Sequence, residues 1–570
     1  TGMALWVLGL VAVCCWPMAA VAGNSRNALL GTRYRVDLGS GGVSISTNWT
    51  VLERSGDWIT VSWENVDHPD PDDWMALFAP ANASASPHDH APIKYRFANE
   101  SESHLCCGRG SLSFSIVNVR GDFSFAFLRG GLRNATVSAR SAPLSFANVD
   151  EPLSPRWSFG PVAGSFRLSW SSGGAAGPLV QWGRRSGEYL QTTTAQTTTY
   201  DRGDMCGPPA STIGWFDPGA IHHAVLFDLP YSQKVFYRFG SFTGGFSQEY
   251  VFQSPPGPGK ATRLLAYGDM GVGHVDQSSS GYFTEPMALA TMSRIMSSPY
   301  RADAVLHIGD ISYAQGFISQ WDYFLQQIAP IASTMPYQVA IGNHERDCVN
   351  CGSFFEVDDC GGECGVPYSK LFPTPNDVPD QHWYSFDIGS VHVVVLSTEA
   401  DFRRGSAQWS FLRSDLASVD RSRTPWVIVS GHRPMYIDST YDSGDTSDIV
   451  VARLLRQHLE PMFHEHGVDL AIWGHNHSYQ RTCHVLNETC FDGEGAKAPV
   501  HVVVGTAGFS LTANRNAISP KWLKTRRDEF GYLQISASKD YLDVEFIVDA
   551  TGEIGDRIRI NRHAIAVSSS

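Results

Sequence analysis

The sequence predicts an α/β domain of layered β-sheets flanked by helices, preceded by all-β sandwich domains. Three observations carry this. Before about residue 255 the apolar residues alternate one by one, as half-buried strands do. From Ala261 onward short apolar runs alternate with helical patterns, the signature of a layered α/β fold. Between them lies SPPGPGK, Ser254 to Lys260, a Pro/Gly stretch that neither strand nor helix accommodates. At 570 residues the chain is too long for one core, and about 150 residues per domain gives ~3 or 4 domains.

Residues 1–23 come first. Met3 to Gly23 read as a secretory signal peptide, with the apolar run ALWVLGLVAVCCW leading to an A-V-A site at Ala20, Val21 and Ala22. The run is short for a membrane span, and no later segment offers ~18 uninterrupted apolar residues. The expectation is a secreted or extracytoplasmic protein (extracellular, cell wall or vacuolar) with no stable membrane span.

Residues 24–150 form a β-rich domain. DWITVSWENV places Ile59, Val61 and Trp63 on one face, and DFSFAFL does the same with Phe123, Phe125 and Phe127. Asp150 to Pro155 reads as a linker. Residues 151–255 read as a sandwich, with Phe166, Leu168 and Trp170 alternating and Phe236 in a second alternating run up to Phe239. In residues 260–570, helices are expected over Thr284–Ser297, Gln408–Leu416 and Ala452–His466, the last despite Pro461. Strands return at 501–508 and 541–548.

The formal net charge is −14, opposite to the basic footprint of a nucleic-acid binder. Of the 11 cysteines, Cys14 and Cys15 fall in the signal segment, and the odd remainder leaves at least one without an intrachain partner. Cys483 and Cys490 bracket a short loop and form a candidate bridge. Cys348, Cys351, Cys360 and Cys364 read as two disulfides in a secreted chain, with a zinc site as the alternative. Glycosylation sequons stand at Asn48, Asn82, Asn99, Asn134 and Asn487. A sixth, at Asn476, lies inside the candidate site and is expected to stay unmodified.

The chemistry sits at the ends of apolar runs. RLLAYGD ends at Asp269, AVLHIGD at Asp310, YQVAIGNHE at Glu345, WVIVSGH at His432 and LAIWGHNH at His477. Such runs read as strands buried on both faces, and α/β sites form at the carboxyl ends of strands. Asp269, Asp310, Tyr313, Asn343, His432, His475 and His477 therefore converge as a metal cluster. Carboxylate, amide oxygen and imidazole suit first-row cations, and Asp310 is the natural bridge between two of them. Tyr313 discriminates: a phenol of pKa near ~10 ligates only a strongly acidic cation such as ferric iron.

The blocks G-D-M-G at 268–271, G-D-x-x-Y at 309–313, G-N-H-E at 342–345, G-H at 431–432 and G-H-x-H at 474–477 resemble the purple acid phosphatases. These belong to the binuclear metallophosphatases. General metallophosphatases begin with Asp-x-His; here Gly271 replaces that histidine and Tyr313 supplies the substitute. The resemblance implies Fe(III) on Asp269, Asp310, Tyr313 and His477. It implies a second metal (Fe, Zn or Mn) on Asp310, Asn343, His432 and His475. His344 matches a histidine that contacts substrate phosphate and stabilises the transition state or protonates the leaving group; Asn343 lies beside it. Plant members carry histidines after the position of His432, where this chain has Arg433-Pro434-Met435-Tyr436. Arg433 either clamps a phosphate or is structural. The sandwich at 151–255 resembles the family's fibronectin-like domain, and DMCGPPASTIGWFDPGAIH at 204–222 resembles longer plant members linked to nucleotide pyrophosphatase or phosphodiesterase activity. The implied function is a secreted acid phosphatase acting on small phosphate esters with a metal-bound hydroxide as nucleophile. The alternatives are a nucleotide pyrophosphatase/phosphodiesterase using the same centre and, less favoured, a catalytically dead binding protein.

Overall fold

The computed structural model describes residues 35–36, 42–83, 90–133, 135–280, 285–376, 378–491 and 498–562. The signal segment at 1–23 and the sequon residue Asn134 lie outside them.

Two β domains precede a larger α/β domain. In the first, a three-stranded sheet containing Asp57–Glu64 faces a five-stranded sheet. Ile59, Val61, Trp63, Phe123, Phe125 and Phe127 are all buried, as their alternation requires. The second is also a pair of antiparallel sheets, built on Phe166–Ser172 and Lys234–Ser241. In the latter strand the inward set is Val235, Tyr237 and Phe239, so Phe236 faces partly outward. The linker expected to reach Pro155 is shorter: a strand begins at Leu153. It is an edge strand whose register breaks between Leu153 and Arg156. Pro155 lacks an N–H, and an irregular edge is where a strand tolerates it.

The α/β domain holds two facing sheets between helices. One contains parallel strands β1 (Thr262–Tyr267), β2 (Ala304–Ile308) and β3 (Tyr337–Ala340). The other contains parallel β4 (Val391–Val395), β5 (Trp426–Gly431), β6 (Leu470–Trp473) and β7 (Val500–Val504). Antiparallel strands, including Tyr541–Val548, complete both. Alternate residues explain the unbroken apolar runs. Leu264, Ala266, Leu306, Ile428, Ile472 and Val502 fill the space between the sheets. Leu265, Val305 and Val339 pack outward against helices α1 (Pro286–Ser297) and α2 (Ser319–Ala332). Val427, Val429 and Ala471 pack against α3 (Ala407–Ser418) and α4 (Asp448–Glu465). Truncating one such residue, for instance Ile428→Ala, removes about 2–5 kcal/mol. The three expected helices are present within a few residues of their expected ends, and α2 is an additional one.

Candidate metal centre

Each strand end carries the side chain expected there: Asp269 after β1, Asp310 after β2, Asn343 after β3, His432 after β5, and His475 and His477 after β6. The two sheets meet at this rim, so candidate ligands from both converge. Asp269 (φ 60°), Asp310 (φ 47°), Tyr313 (φ 49°) and His475 (φ 67°) all adopt left-handed backbone. Non-glycine residues hold that conformation at a cost of order 1–3 kcal/mol each, and it concentrates at functional sites.

The donor atoms fall into two groups. Asn343 Oδ1 lies 3.0 Å from His432 Nε2 and 3.0 Å from His475 Nδ1. His432 Nε2 lies 3.3 Å from His475 Nδ1 and 3.1 Å from Asp310 Oδ2. In the second group, Tyr313 Oη is 3.2 Å from Asp269 Oδ1, 3.2 Å from Asp310 Oδ2 and 3.1 Å from His477 Nε2. Asp310 Oδ2 belongs to both. Adjacent ligands about 2.1 Å from one cation stand about 3.0 Å apart when their bonds meet at right angles, which is the spacing seen.

His432 Nδ1 faces the Ile308 carbonyl at 3.0 Å and donates to it, which aims its Nε2 at the Asp310 carboxylate, the Asn343 carbonyl oxygen and the His475 ring. Lone pairs crowded around two points fit two cations. Asp310, His432 and His475 by themselves meet the geometric requirement for holding one ion.

Burial would raise Asp310, but the imidazoles of His432, His344 and His475 hold it well below the usual carboxylate range. Burial works against charge on His432, yet Asp310 lifts it to about 10. Burial, then Asp310 and Asp269, push the Tyr313 phenol well above its ordinary value. Without a cation, the phenol therefore keeps its proton.

Surrounding groups fix the orientation. The His475 N–H donates to Asp269 Oδ2 at 3.0 Å, and the His344 N–H to Asp310 Oδ1 at 3.0 Å. One oxygen of each aspartate is thus locked while the other faces the cluster. Asn343 Nδ2 donates to Asp359 Oδ2 at 3.1 Å, which turns Oδ1 toward the histidines. Glu345 accepts from the N–H groups of Ile311 (2.8 Å) and Gly342 (3.1 Å), stapling the Asp310 loop to the Asn343 loop. Phe509 stacks on Tyr313 with ring centroids 4.2 Å apart and packs against His477. The Gly-Asn-His-Glu motif contained the signal for Glu345; Asp359 and Phe509 carried none.

His344 is partly exposed, with Nε2 3.8 Å from Asp310 Oδ2 and Nδ1 against Gln315 Nε2 at 2.5 Å. Arg433 is buried instead: it is 2% exposed, with Nε on Glu399 Oε2 at 2.9 Å, Nη2 on Asp347 Oδ2 at 3.1 Å, and Nη1 between the Thr446 carbonyl and His475 Nε2, each at 3.2 Å. Its fork is filled by the protein's own groups, so a phosphate clamp is corrected to a buried structural cation that also braces the His475 ring. Met435 and Tyr436 are also buried.

Gly271 (φ +72°) has no room for a side chain: a Cβ there would lie 2.6 Å from Glu285 Oε2. Glu285 fills the space beside the missing ligand and, held protonated by burial, titrates at about 8.

The cysteines pair as Cys106–Cys107, Cys206–Cys364, Cys348–Cys360 and Cys483–Cys490. Cys351 is free among the described residues. The four-cysteine reading is corrected accordingly: Cys364 reaches across to Cys206, because the 206–214 segment packs on the 361–363 turn. Asn48, Asn82, Asn99 and Asn487 are exposed, and Asn476 is buried.

Family models match in sequence along the chain. They are the Fn3-like domain from purple acid phosphatase at residues 43–148, the purple acid phosphatase N-terminal domain at 152–254, calcineurin-like phosphoesterase at 262–479 and the iron/zinc purple acid phosphatase-like protein C domain at 498–557. An Arabidopsis thaliana protein named "Probable inactive purple acid phosphatase 27" is 39% identical over 534 residues, 89% of this chain and 87% of the relative. A Hordeum vulgare nucleotide pyrophosphatase/phosphodiesterase is 35% identical over 56% of this chain and 88% of its own length. The solved structure of a purple acid phosphatase from yellow lupin (Lupinus luteus) seeds superposes with a TM-score of 0.87 at 37% identity, covering 92% of this chain and 97% of that one. With these likenesses along nearly its whole length, the chain belongs to the purple acid phosphatase family of metallophosphatases.

Proposed function

We propose that this protein is a secreted acid phosphatase that hydrolyses small phosphate esters at a two-cation centre. The carrying observation is the donor set: seven side chains in two groups that share Asp310 Oδ2. Two bound cations supply Lewis-acid charge for the phosphate oxygens and lower the pKa of water. Asp269, Tyr313 and His477 would hold one, and Asn343, His432 and His475 the other. The phenol of Tyr313 favours Fe(III) in the first position, with Fe, Zn or Mn in the second.

The chain's own residues do the rest. Asp359 presents the Asn343 carbonyl oxygen. Gln315 Nε2 donates to His344 Nδ1, which puts the neutral ring's proton on Nε2, where it can be donated to a phosphate or leaving-group oxygen. Secretion rests on the Met3–Gly23 pattern, four disulfides and exposed sequons.

The test is metal analysis, visible absorption and turnover of the protein expressed with its signal. About two metals per chain, an iron–phenolate charge-transfer band and phosphomonoester hydrolysis are expected. Asp310→Ala should lose metal and turnover together. A colourless, iron-free but active protein overturns the metal assignment; a metal-loaded, inactive one overturns the phosphatase reading.

A second reading is nucleotide pyrophosphatase/phosphodiesterase activity. It is favoured by the likeness to the Hordeum vulgare nucleotide pyrophosphatase/phosphodiesterase, 35% identical over 56% of this chain. Comparing kcat/KM for a monoester, a diester and ATP decides between the two.

A further inference from the structure

A second cavity, of about 640 Å³, opens on the side of the catalytic domain opposite the metal rim. It lies where the second β domain meets the amino-terminal ends of β1 and β2 and the carboxyl-terminal ends of α1 and α2. Its size falls within the ~300–1,000 Å³ range of small-molecule sites. The floor is apolar. Leu265, Ile295 and Ile331 are each under 10% exposed, with Met335 beside them.

The charged lining groups are two arginines and one aspartate. Arg263 and Arg301 are exposed, and Arg301 Nη1 donates to the Ser298 carbonyl at 3.0 Å. Asp303 Oδ2 accepts the Arg263 backbone N–H at 2.7 Å and is partly buried. Its carboxyl, raised to about 6 by burial, loses charge in acid, so the positive balance of the lining grows there. On a chain with net charge −14, a cationic rim above an apolar floor is a local inversion of the surface. It complements a ligand with an apolar body and an anionic head.

We infer that this cavity is a binding site for a small amphipathic anion, its apolar body on Leu265, Ile295, Ile331 and Met335 and its head between Arg263 and Arg301. The site is separate from the metal centre: β1 and β2 carry their metal ligands at the opposite ends.

Binding of 1-anilinonaphthalene-8-sulfonate to the metal-loaded full chain, followed by fluorescence and competed with laurate, tests this. One saturable site is expected, displaced by laurate and untouched by inorganic phosphate. The double variant Arg263→Ala/Arg301→Ala alters exposed side chains and should keep the fold, yet weaken binding by about tenfold or more. Met335→Trp should reduce binding by filling the floor. Unchanged affinity in the double variant, or displacement of the probe by phosphate, overturns the assignment.

Discussion

Gly271 shows why this centre cannot be converted to the commoner Asp-x-His form by one substitution. Its left-handed backbone disfavours any side chain by about 1–2 kcal/mol, and a Cβ would meet Glu285 Oε2, Cδ and Cγ at 2.6, 2.7 and 2.8 Å. Gly271→His is therefore expected to lower the melting temperature without raising metal content, as calorimetry and elemental analysis on one sample will show. Arg433 makes a different prediction. Asp347 and Glu399 are fully buried around it, so Arg433→Ala leaves buried carboxylates unpaired and should cost about 3–5 kcal/mol. A phosphate clamp would instead raise KM with stability unchanged, and denaturant titration beside steady-state kinetics separates the outcomes.

At the scale of elements, the strand ends were legible because short apolar runs ending in Gly and a polar residue leave few other readings. The same local pattern placed α1, α3 and α4. Helix α2 carried an equally regular face, with Trp321, Phe324, Leu325 and Ile328 buried, and was as legible as α4, which also holds a proline near its end. Pairings between distant segments were not legible. Nothing near Cys364 indicates Cys206, 158 residues away, and nothing near Arg433 indicates Glu399. Such partners are fixed by how loops pack, which no local period encodes. The pairing predicts a contrast: Cys364→Ser opens the bridge between the 206–214 and 361–363 segments and should cost about 2–5 kcal/mol. Cys351→Ser, at the free thiol, should change unfolding by less than about 0.5 kcal/mol.

For the whole molecule, buried titratable groups set a pH of greatest stability. Burial raises Glu285 to about 8, Glu363 to about 7, and Asp303 and Asp549 to about 6. The folded state holds their protons where the unfolded chain has released them. Their contribution is complete below the unfolded carboxyl values and is lost as pH rises through 6–8. His222, His223, His274 and His501 are lowered by burial to about 4, 3, 3 and 3. There the unfolded chain takes up protons below its ordinary value of 6.5, so stability falls as pH drops from that point. The two trends oppose, and the melting temperature should peak in weak acid, near about pH 6. A calorimetric series from pH 4 to pH 9 checks this; a peak above pH 8 contradicts it.

The four ligands in left-handed backbone carry one more consequence. Strained main chain and crowded lone pairs are free energy stored at the rim by the rest of the fold. A cation that settles among them relieves the crowding, and the unfolded chain offers it no comparable seat. Occupancy should then act as a brace: at a thousand times the dissociation constant, mass action adds about 4 kcal/mol to the folded state. The protein is thus expected to be most fragile before its metals arrive, and chelation should make it easier for proteases to open.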